Sequence, residues 1–154
     1  MKRVNLTLIS FYIMSNIIAQ NPFFEKYNTP HGTVPFHKIK LEHYEPATME
    51  GMKLHEAEIN AIINNTEPPT FANTIVALEK SDDLLTRVHA VFYNLPSAEP
   101  TDEMQDLAQH LIPQLSIHNH NINLNEKLFA RVKAVYEQKS KLNLTPEQEM
   151  LLNN

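Results

Sequence analysis

The sequence predicts an all-α fold. Apolar residues recur at helical spacing from Pro46 onward, and no segment shows the alternation of apolar and polar residues that is typical of a strand. With only 2 glycines in 154 residues, the chain lacks the usual turn residue of hairpin-rich β folds and of phosphate-binding loops. Prolines and asparagines divide the helical pattern into about four helices and the start of a fifth.

The charge balance and the cysteine count exclude several classes of function. The chain has 13 Lys and Arg against 18 Asp and Glu, a net charge of −5, which disfavours a general nucleic-acid binder. It contains 0 cysteines, so it can form neither a disulfide nor a thiolate ligand or nucleophile. Any metal bound by this chain would therefore need histidine and carboxylate ligands.

Residues 1–19 are predicted to be a secretory signal peptide. Lys2 and Arg3 precede a mostly apolar stretch that ends at Ala19. Polar residues interrupt this stretch, and it is shorter than the roughly 20 apolar residues that a membrane span needs. We therefore expect export, to the periplasm, with cleavage after Ala19 and no membrane association afterwards. If the segment is instead an ordinary amphipathic helix, the protein is cytoplasmic.

Residues 20–45 are predicted to form a Pro-rich extended segment. Pro22, Pro30 and Pro35 each lack a backbone donor and restrain the preceding residue, so a long helix is excluded. The segment also carries aromatic residues, which we expect to lie against a folded surface: Phe23, Phe24, Tyr27, Phe36 and Tyr44.

The first two helices are delimited by clear signals. The first is predicted to begin at Pro46, since proline is tolerated in a first turn, and to end near Asn64. The second begins near Thr70 or Asn73 and continues to Pro96, which is about six turns of helix. Its apolar residues form one stripe at steps of three, four and seven: Phe71, Ile75, Leu78, Leu85, Val88, Phe92 and Leu95.

The third and fourth helices follow the same pattern. The third is predicted to begin at Thr101, and Pro113 is expected to kink it. The fourth runs from an N-cap at Asn125 to about Lys141. The apolar stripe of the third helix indicates packing against another helix: Met104, Leu107, Leu111, Leu115, His118 and Ile122.

A fifth helix is predicted to start close to the last residue. The sequence Thr145-Pro146-Glu147-Gln148 has the capping-box arrangement of a helix N-terminus. Fewer than three turns follow before Asn154, and an isolated helix of that length is marginal. We therefore expect residues 46–154 to be a helical domain that is incomplete at its C-terminus.

The histidines do not form a recognisable metal motif. A zinc-peptidase helix needs a second His four residues after its His-Glu pair, and the position four after His55-Glu56 is Ile59. We predict that His55 is a partly exposed helix residue. His118 and His120 point roughly 200° apart on a helix and cannot readily share an ion. Structural or solvated roles are favoured for these residues and for the evenly spaced His31, His37 and His43.

The charged residues offer no paired acid and base. The pair Asp82-Asp83 interrupts the apolar stripe of the second helix; its two carboxylates face different directions on a helix and are predicted to belong to a solvated face. The basic residues of the fourth helix favour a wet helix face over a site for an anionic partner or peptide carboxylate: Lys127, Arg131, Lys133, Lys139 and Lys141. No catalytic, cofactor-binding or metal-binding residue is predicted in this chain.

Several segments together resemble a known family. The segments 70–88, 91–95 and 125–136 are similar to the N-terminal region of the bacterial peptidyl-dipeptidase Dcp family. Segments 21–24 and 43–52 also match the way in which such proteins begin. The wider relatives of this family are oligopeptidase A, thimet oligopeptidase and neurolysin. The resemblance covers nearly everything from residue 21 to residue 154, and its motifs concern packing rather than catalysis.

The resemblance implies a two-lobed, mostly helical zinc metallopeptidase whose channel admits short oligopeptides. Its zinc ligands are two His of a His-Glu-x-x-His helix and a later Glu, and none of these positions exists in this chain. The full-length protein would release C-terminal dipeptides from oligopeptides, whereas this segment would wall the channel and be inactive without the missing C-terminal catalytic region. Two alternatives remain open: a fragment of an oligopeptidase A-like endopeptidase, and a non-catalytic stand-alone helical binding module.

Overall fold

The computed structural model describes residues 21–94 and 101–153. Within these two ranges the chain forms helices and turns and no strand, which confirms the all-α prediction. The predicted signal peptide, residues 1–19, lies outside the described residues, as does Pro96, the predicted end of the second helix. In the described part of the chain, no helix is both long enough and apolar enough to cross a membrane.

Residues 21–43 form a series of single turns rather than a long helix. The four 3₁₀ turns are Pro22–Phe24, Pro30–Gly32, Phe36–Lys38 and Leu41–His43. Asn21 fixes the start of the segment, because its Nδ2 donates to the carbonyl of His43 at 2.8 Å and its Oδ1 accepts from the N–H of Phe23 at 3.1 Å. The side chain of Phe23 is fully buried, whereas that of Phe36 remains 51% exposed.

The six α-helices are bounded as follows. The first five are α1 (Tyr44–Ile63), α2 (Ala77–Glu79), α3 (Asp83–Asn94), α4 (Asp102–Asn123) and α5 (Glu126–Tyr136), and α6 is Pro146–Asn153. A π-helical segment, Phe71–Val76, leads directly into α2. A 3₁₀ turn, Lys139–Lys141, follows α5.

The predicted second helix is not continuous, and the prediction of an unbroken six-turn helix was wrong. α2 ends at Glu79, and Asp82 adopts a left-handed backbone with φ of 68° before α3 begins at Asp83. Aspartate tolerates this conformation better than most residues. The N–H of Asp82 donates to Oε2 of Glu58 at 3.0 Å, and the Ser81 hydroxyl donates to the carbonyl of Leu78 at 2.6 Å. The Asp82-Asp83 pair therefore marks a helix break and a new N-terminus rather than one solvated helix face.

The other helix predictions differ from the structure mainly at their ends. α1 begins at Tyr44, two residues before Pro46, and α5 ends at Tyr136 rather than near Lys141. Asn125 caps α5 as predicted, since its Oδ1 accepts from the N–H of Leu128 at 3.0 Å. Pro113 lies inside α4, and the predicted kink there stays a prediction.

The described residues divide into two compact units. The first contains residues 21–51, 84–94 and 101–109, and its core surrounds Tyr44. The Tyr44 ring lies 5.3 Å from that of Phe23 and 5.0 Å from that of Phe92, measured between centroids. Gly51 allows α1 and α3 to approach closely, because a Cβ atom at this position would lie 3.1 Å from the Cα of Leu85.

The second unit contains residues 52–83 and 110–153. One apolar cluster joins α1 to α5 through Ile59, Ile62 and Leu128. Another joins the π-helical segment to α5 and α6 through Ile75, Val135 and Leu152. Burial of each such side chain stabilises the fold by about 1.5–3 kcal/mol. This unit also holds the polar side chains that form the candidate site.

Candidate functional site

Two histidines that are far apart in sequence meet in the second unit. His55 lies on α1 and His118 on α4, and His55 Nδ1 is 3.0 Å from His118 Nε2. The ring centroids are 5.1 Å apart and the ring planes form an angle of 63°. A hydrogen bond between two imidazoles needs one N–H donor and one free lone pair, so the accepting ring is neutral.

The prediction that His55 is partly exposed was wrong, because its side chain is only 8% exposed. His55, Ile59 and Ile62 follow the i, i+4, i+7 spacing of one helix face, and both isoleucines belong to the core. On α4, His118 follows the buried Leu115 by three residues and therefore lies on the same side of the helix, where it is half-buried. The helical register could have identified both histidines as inward-facing, but no local pattern shows that they pair.

Burial controls the charge of this histidine pair. It lowers the pKa of His55 below the ordinary value of 6.5, and Asp82 and Glu58 oppose the shift while His118 adds to it. Burial also lowers the pKa of His118, and Glu56 and Asp82 oppose that shift. Both rings are therefore mostly uncharged at neutral pH, and three carboxylates lie close enough to favour protonation when the pH falls.

A small polar cleft opens beside His118. Its volume is about 130 Å³, and its walls include the side chains of Glu56, Asn60, Asn121 and Asn125. The cleft brings a carboxylate and several amides near an imidazole, which suits hydrogen bonding. Neither a Ser nor a Cys residue, which could act as a nucleophile, lines this cleft.

The described residues do not fit the zinc site that the family resemblance implies. Residues 21–94 and 101–153 contain no group of three or more His, Asp or Glu side chains placed to hold a metal ion. His55 Nδ1 already contacts His118, and Ile59, where the peptidase helix needs its second His, packs in the core. The prediction that this chain supplies no metal ligand stays a prediction.

A second polar cluster surrounds Arg131 on α5. Its Nη1 donates to the carbonyls of Asn65 and Glu67 at 2.9 and 3.3 Å, and its Nη2 donates to Oδ1 of Asn73 at 3.3 Å. The same Oδ1 also accepts from the N–H of Thr70 at 2.8 Å. The expectation of a wet basic face was wrong for Arg131, because the guanidinium holds the loop between α1 and the π-helical segment.

A wider cleft lies beside this cluster. It has a volume of about 360 Å³, and Asn65 and Asn73 form part of its wall together with Glu58 and Lys80. Both asparagine side chains are engaged in local hydrogen bonds, Asn65 Oδ1 with the N–H of Glu67 at 2.9 Å and Asn73 Nδ2 with the carbonyl of Pro68 at 3.0 Å. The two asparagines of the cleft wall therefore bind the backbone of the adjacent loop through Asn65 Oδ1 and Asn73 Nδ2.

The remaining histidines predicted to be structural or solvated lie apart from this pair. His43 is buried, and its Nδ1 accepts from the N–H of Lys40 at 3.0 Å. Burial lowers the pKa of His43, while Glu42 raises it and Lys40 lowers it further. His37 and His120 are exposed. The structure therefore brings together His55 and His118 and leaves these three histidines in separate surroundings.

The chain is similar to bacterial peptidases. It is 42% identical over 134 residues to the dipeptidyl carboxypeptidase of Escherichia coli (strain K12) and 38% identical over 136 residues to that of Salmonella typhimurium (strain LT2). These alignments cover 87% and 88% of this chain. The resemblance to the peptidyl-dipeptidase family is thereby confirmed. No family model matches the chain.

A more distant similarity connects the chain to oligopeptidase A. The identity is 23% over 126 residues for the Escherichia coli protein and 22% over 134 residues for the Salmonella typhimurium protein. The chain spans about a fifth of the length of the relatives that it matches, since the alignments cover 18–20% of them. The similarity therefore describes one segment of these peptidases.

Proposed function

We propose that this chain is part of a peptidase that releases dipeptides from the C-terminus of oligopeptides. One observation carries the proposal: identity to the dipeptidyl carboxypeptidases is 42% and 38%, against 23% and 22% to oligopeptidase A over similar lengths. A segment that shared only the common fold would have about the same sequence identity to the dipeptidyl carboxypeptidases as to oligopeptidase A. This difference favours the peptidyl-dipeptidase.

Within such a peptidase we assign this segment a structural role in the wall of the substrate channel. Its polar side chains support that role, because His55, His118 and Arg131 bind other parts of the same unit. The zinc ion and its ligands would come from the part of the peptidase that lies outside this chain. The isolated segment would accordingly be inactive.

We also propose that the mature protein acts outside the cytoplasm on short oligopeptides. The support for export is the basic and apolar pattern of residues 1–19, with cleavage after Ala19. The excess of 18 Asp and Glu over 13 Lys and Arg in this chain disfavours nucleic acid as a partner. If residues 1–19 are not a functional signal, the same peptidase would act in the cytoplasm.

A chimera tests the peptidase proposal. The Escherichia coli dipeptidyl carboxypeptidase would carry the corresponding residues of this chain in place of its 134 matched residues. We expect the chimera to release C-terminal dipeptides from an N-blocked pentapeptide, detected by mass spectrometry. A chelator should abolish the release and added Zn²⁺ should restore it. The same exchange into oligopeptidase A is the control, and it should give a less stable and less active protein.

Two outcomes would favour the alternatives. A chimera with oligopeptidase A that is the more active of the two, and that cleaves internal bonds, would support the endopeptidase. Two chimeras that both fail to fold, together with an isolated chain that unfolds in one sharp monomeric transition, would support a stand-alone binding module.

A further inference from the structure

A set of apolar side chains remains exposed on α4, on α5 and in the turn between them. Ile117 is 62% exposed, and Leu124 and Phe129 are each 66% exposed. Ile117 lies on α4, and Leu124, seven residues later, lies in the turn that follows Asn123, the last residue of α4. Tyr136 follows Phe129 at the same interval on α5 and is 43% exposed. We refer to these four side chains as the α4–α5 apolar face.

Both α4 and α5 also have a buried apolar side, which is separate from this face. In α4 the side chains of Leu111 and Leu115 are buried, and in α5 those of Leu128 and Val135 are buried. The buried and exposed apolar residues therefore occupy different sides of the same two helices. An ordinary surface helix would carry charged or polar residues on its outer side.

Charged residues are absent from the chain around the α4 part of this face, whereas α5 carries the exposed Glu126, Lys127 and Lys133, and Lys139 Nζ lies 4.3 Å from the centroid of the Tyr136 ring. Between Asp106 and Glu126 the sequence contains no Asp, Glu, Lys or Arg, although the second half of α4 has exposed positions such as Ile112 and Ile117. Depletion of charge together with exposed aliphatic and aromatic side chains is typical of the core of a protein–protein interface, not of a solvated helix.

We propose that the α4–α5 apolar face packs against the part of the peptidase that lies outside these 154 residues. The occupant follows from the comparison of lengths, because the matched relatives extend about four-fifths beyond the segment that this chain covers. A permanent interface within one polypeptide is apolar and poor in charge, as the part of this face that contains Ile117 and Leu124 is. The inference rests on the proposed function and adds the surface through which the segment joins the peptidase.

The test uses the double variant L124E+F129E in two contexts. In the isolated chain both side chains are mostly exposed, so we expect the thermal midpoint to change little. In the chimera the two carboxylates would be desolvated, so we expect a clear drop in the thermal midpoint and a loss of activity of at least about tenfold. The matched control S116E+A130E adds the same charge at exposed neighbouring positions of α4 and α5 and should behave like the parent in both contexts.

Several results would overturn the inference. A double variant as stable as the S116E+A130E control in the chimera would show that the face stays in solvent. An isolated chain that forms a dimer which L124E+F129E dissolves would assign the face to a second copy. A loss of helix in the isolated double variant, repeated in the neutral variant L124S+F129S, would show that the side chains support this unit itself.

The thermal midpoint separates this inference from the proposed function. A chimera that unfolds cooperatively and responds to L124E+F129E, yet releases no dipeptide, would support the interface and contradict the function. A chimera that releases dipeptides and does not respond to the double variant would support the function and contradict the interface.

Discussion

The His55–His118 pair shows how two ordinary residues gain a role from their surroundings. Burial lowers the pKa of each ring, and His55 Nδ1 lies 3.0 Å from His118 Nε2. The pair joins α1 to α4 within the second unit without a metal ion. Protonation of these histidines would therefore change the stability of the folded chain, as the next prediction states.

We predict that the isolated chain becomes less stable as the pH falls below the ordinary histidine pKa of 6.5. Burial lowers the pKa of His55, His118 and His43 in the folded state, so the unfolded chain binds protons more readily. The contribution is fully present above pH 6.5 and is lost as the pH falls towards the lower folded-state pKa values. Urea unfolding between pH 8 and pH 5 measures the slope.

The variant H118Q should reduce this pH dependence and lower the free energy of unfolding at neutral pH by about 1 kcal/mol, the value of a typical hydrogen bond. H120Q removes an exposed histidine from the same helix and is the matched control. A slope that is equal in H118Q and in the parent would contradict the assignment of the pH dependence to this pair.

Gly51 gives a second prediction at the residue scale. A Cβ at this position would lie 3.1 Å from the Cα of Leu85, a backbone atom that cannot rotate away. We therefore expect G51L to reduce the free energy of unfolding by about 1–3 kcal/mol through overpacking. A57L places the same side chain at an exposed position of α1 and should leave the stability nearly unchanged. Thermal unfolding followed by circular dichroism compares the two, and equal midpoints would contradict the close helix approach.

At the scale of elements, the π-helical segment depends on the contacts of Asn73. Its Oδ1 accepts from Thr70, Thr74 and Arg131, and its Nδ2 donates to Pro68. We predict that N73A lowers the free energy of unfolding by about 2 kcal/mol, because a helix cap and a charge-assisted hydrogen bond are lost together.

The variant R131K tests the hydrogen bonds that the Arg131 guanidinium donates to Asn73 and to the carbonyl of Asn65. Lysine keeps the charge but cannot donate in the planar fork that reaches both Asn73 and the carbonyl of Asn65. K127R, on an exposed position of α5, is the control. If N73A and R131K each leave the unfolding midpoint at the parental value, the loop is not held by these contacts.

The sequence allowed the helices to be predicted better than the contacts between them. Helical spacing located α1, α4 and α5, and the Asn125 cap is present as predicted. The Asp82-Asp83 pair was predicted to interrupt the apolar stripe but not to end a helix, because the N–H of Asp82, whose φ is 68°, donates to Glu58, a residue distant in sequence. The His55–His118 pair was missed for the same reason, since 63 residues separate its members.

At the scale of the whole molecule, the proposed function assigns the zinc ligands to residues outside this chain. The described residues offer a histidine pair and no third ligand, so we predict that the isolated chain takes up no stoichiometric zinc. Equilibrium dialysis followed by metal analysis measures this, with H118Q as the control for weak binding. One equivalent of chelator-sensitive zinc that H118Q removes would contradict the prediction.

We propose above that this chain functions as one segment of a larger peptidase. The most direct measurement is the intact mass of the native protein in its source cells, read with the coding sequence beyond Asn154. We expect a protein several times larger than 17.7 kDa, with a His-Glu-x-x-His helix and a later Glu in the additional sequence. A stable native protein of about the mass of this chain, with no such sequence after it, would contradict the account.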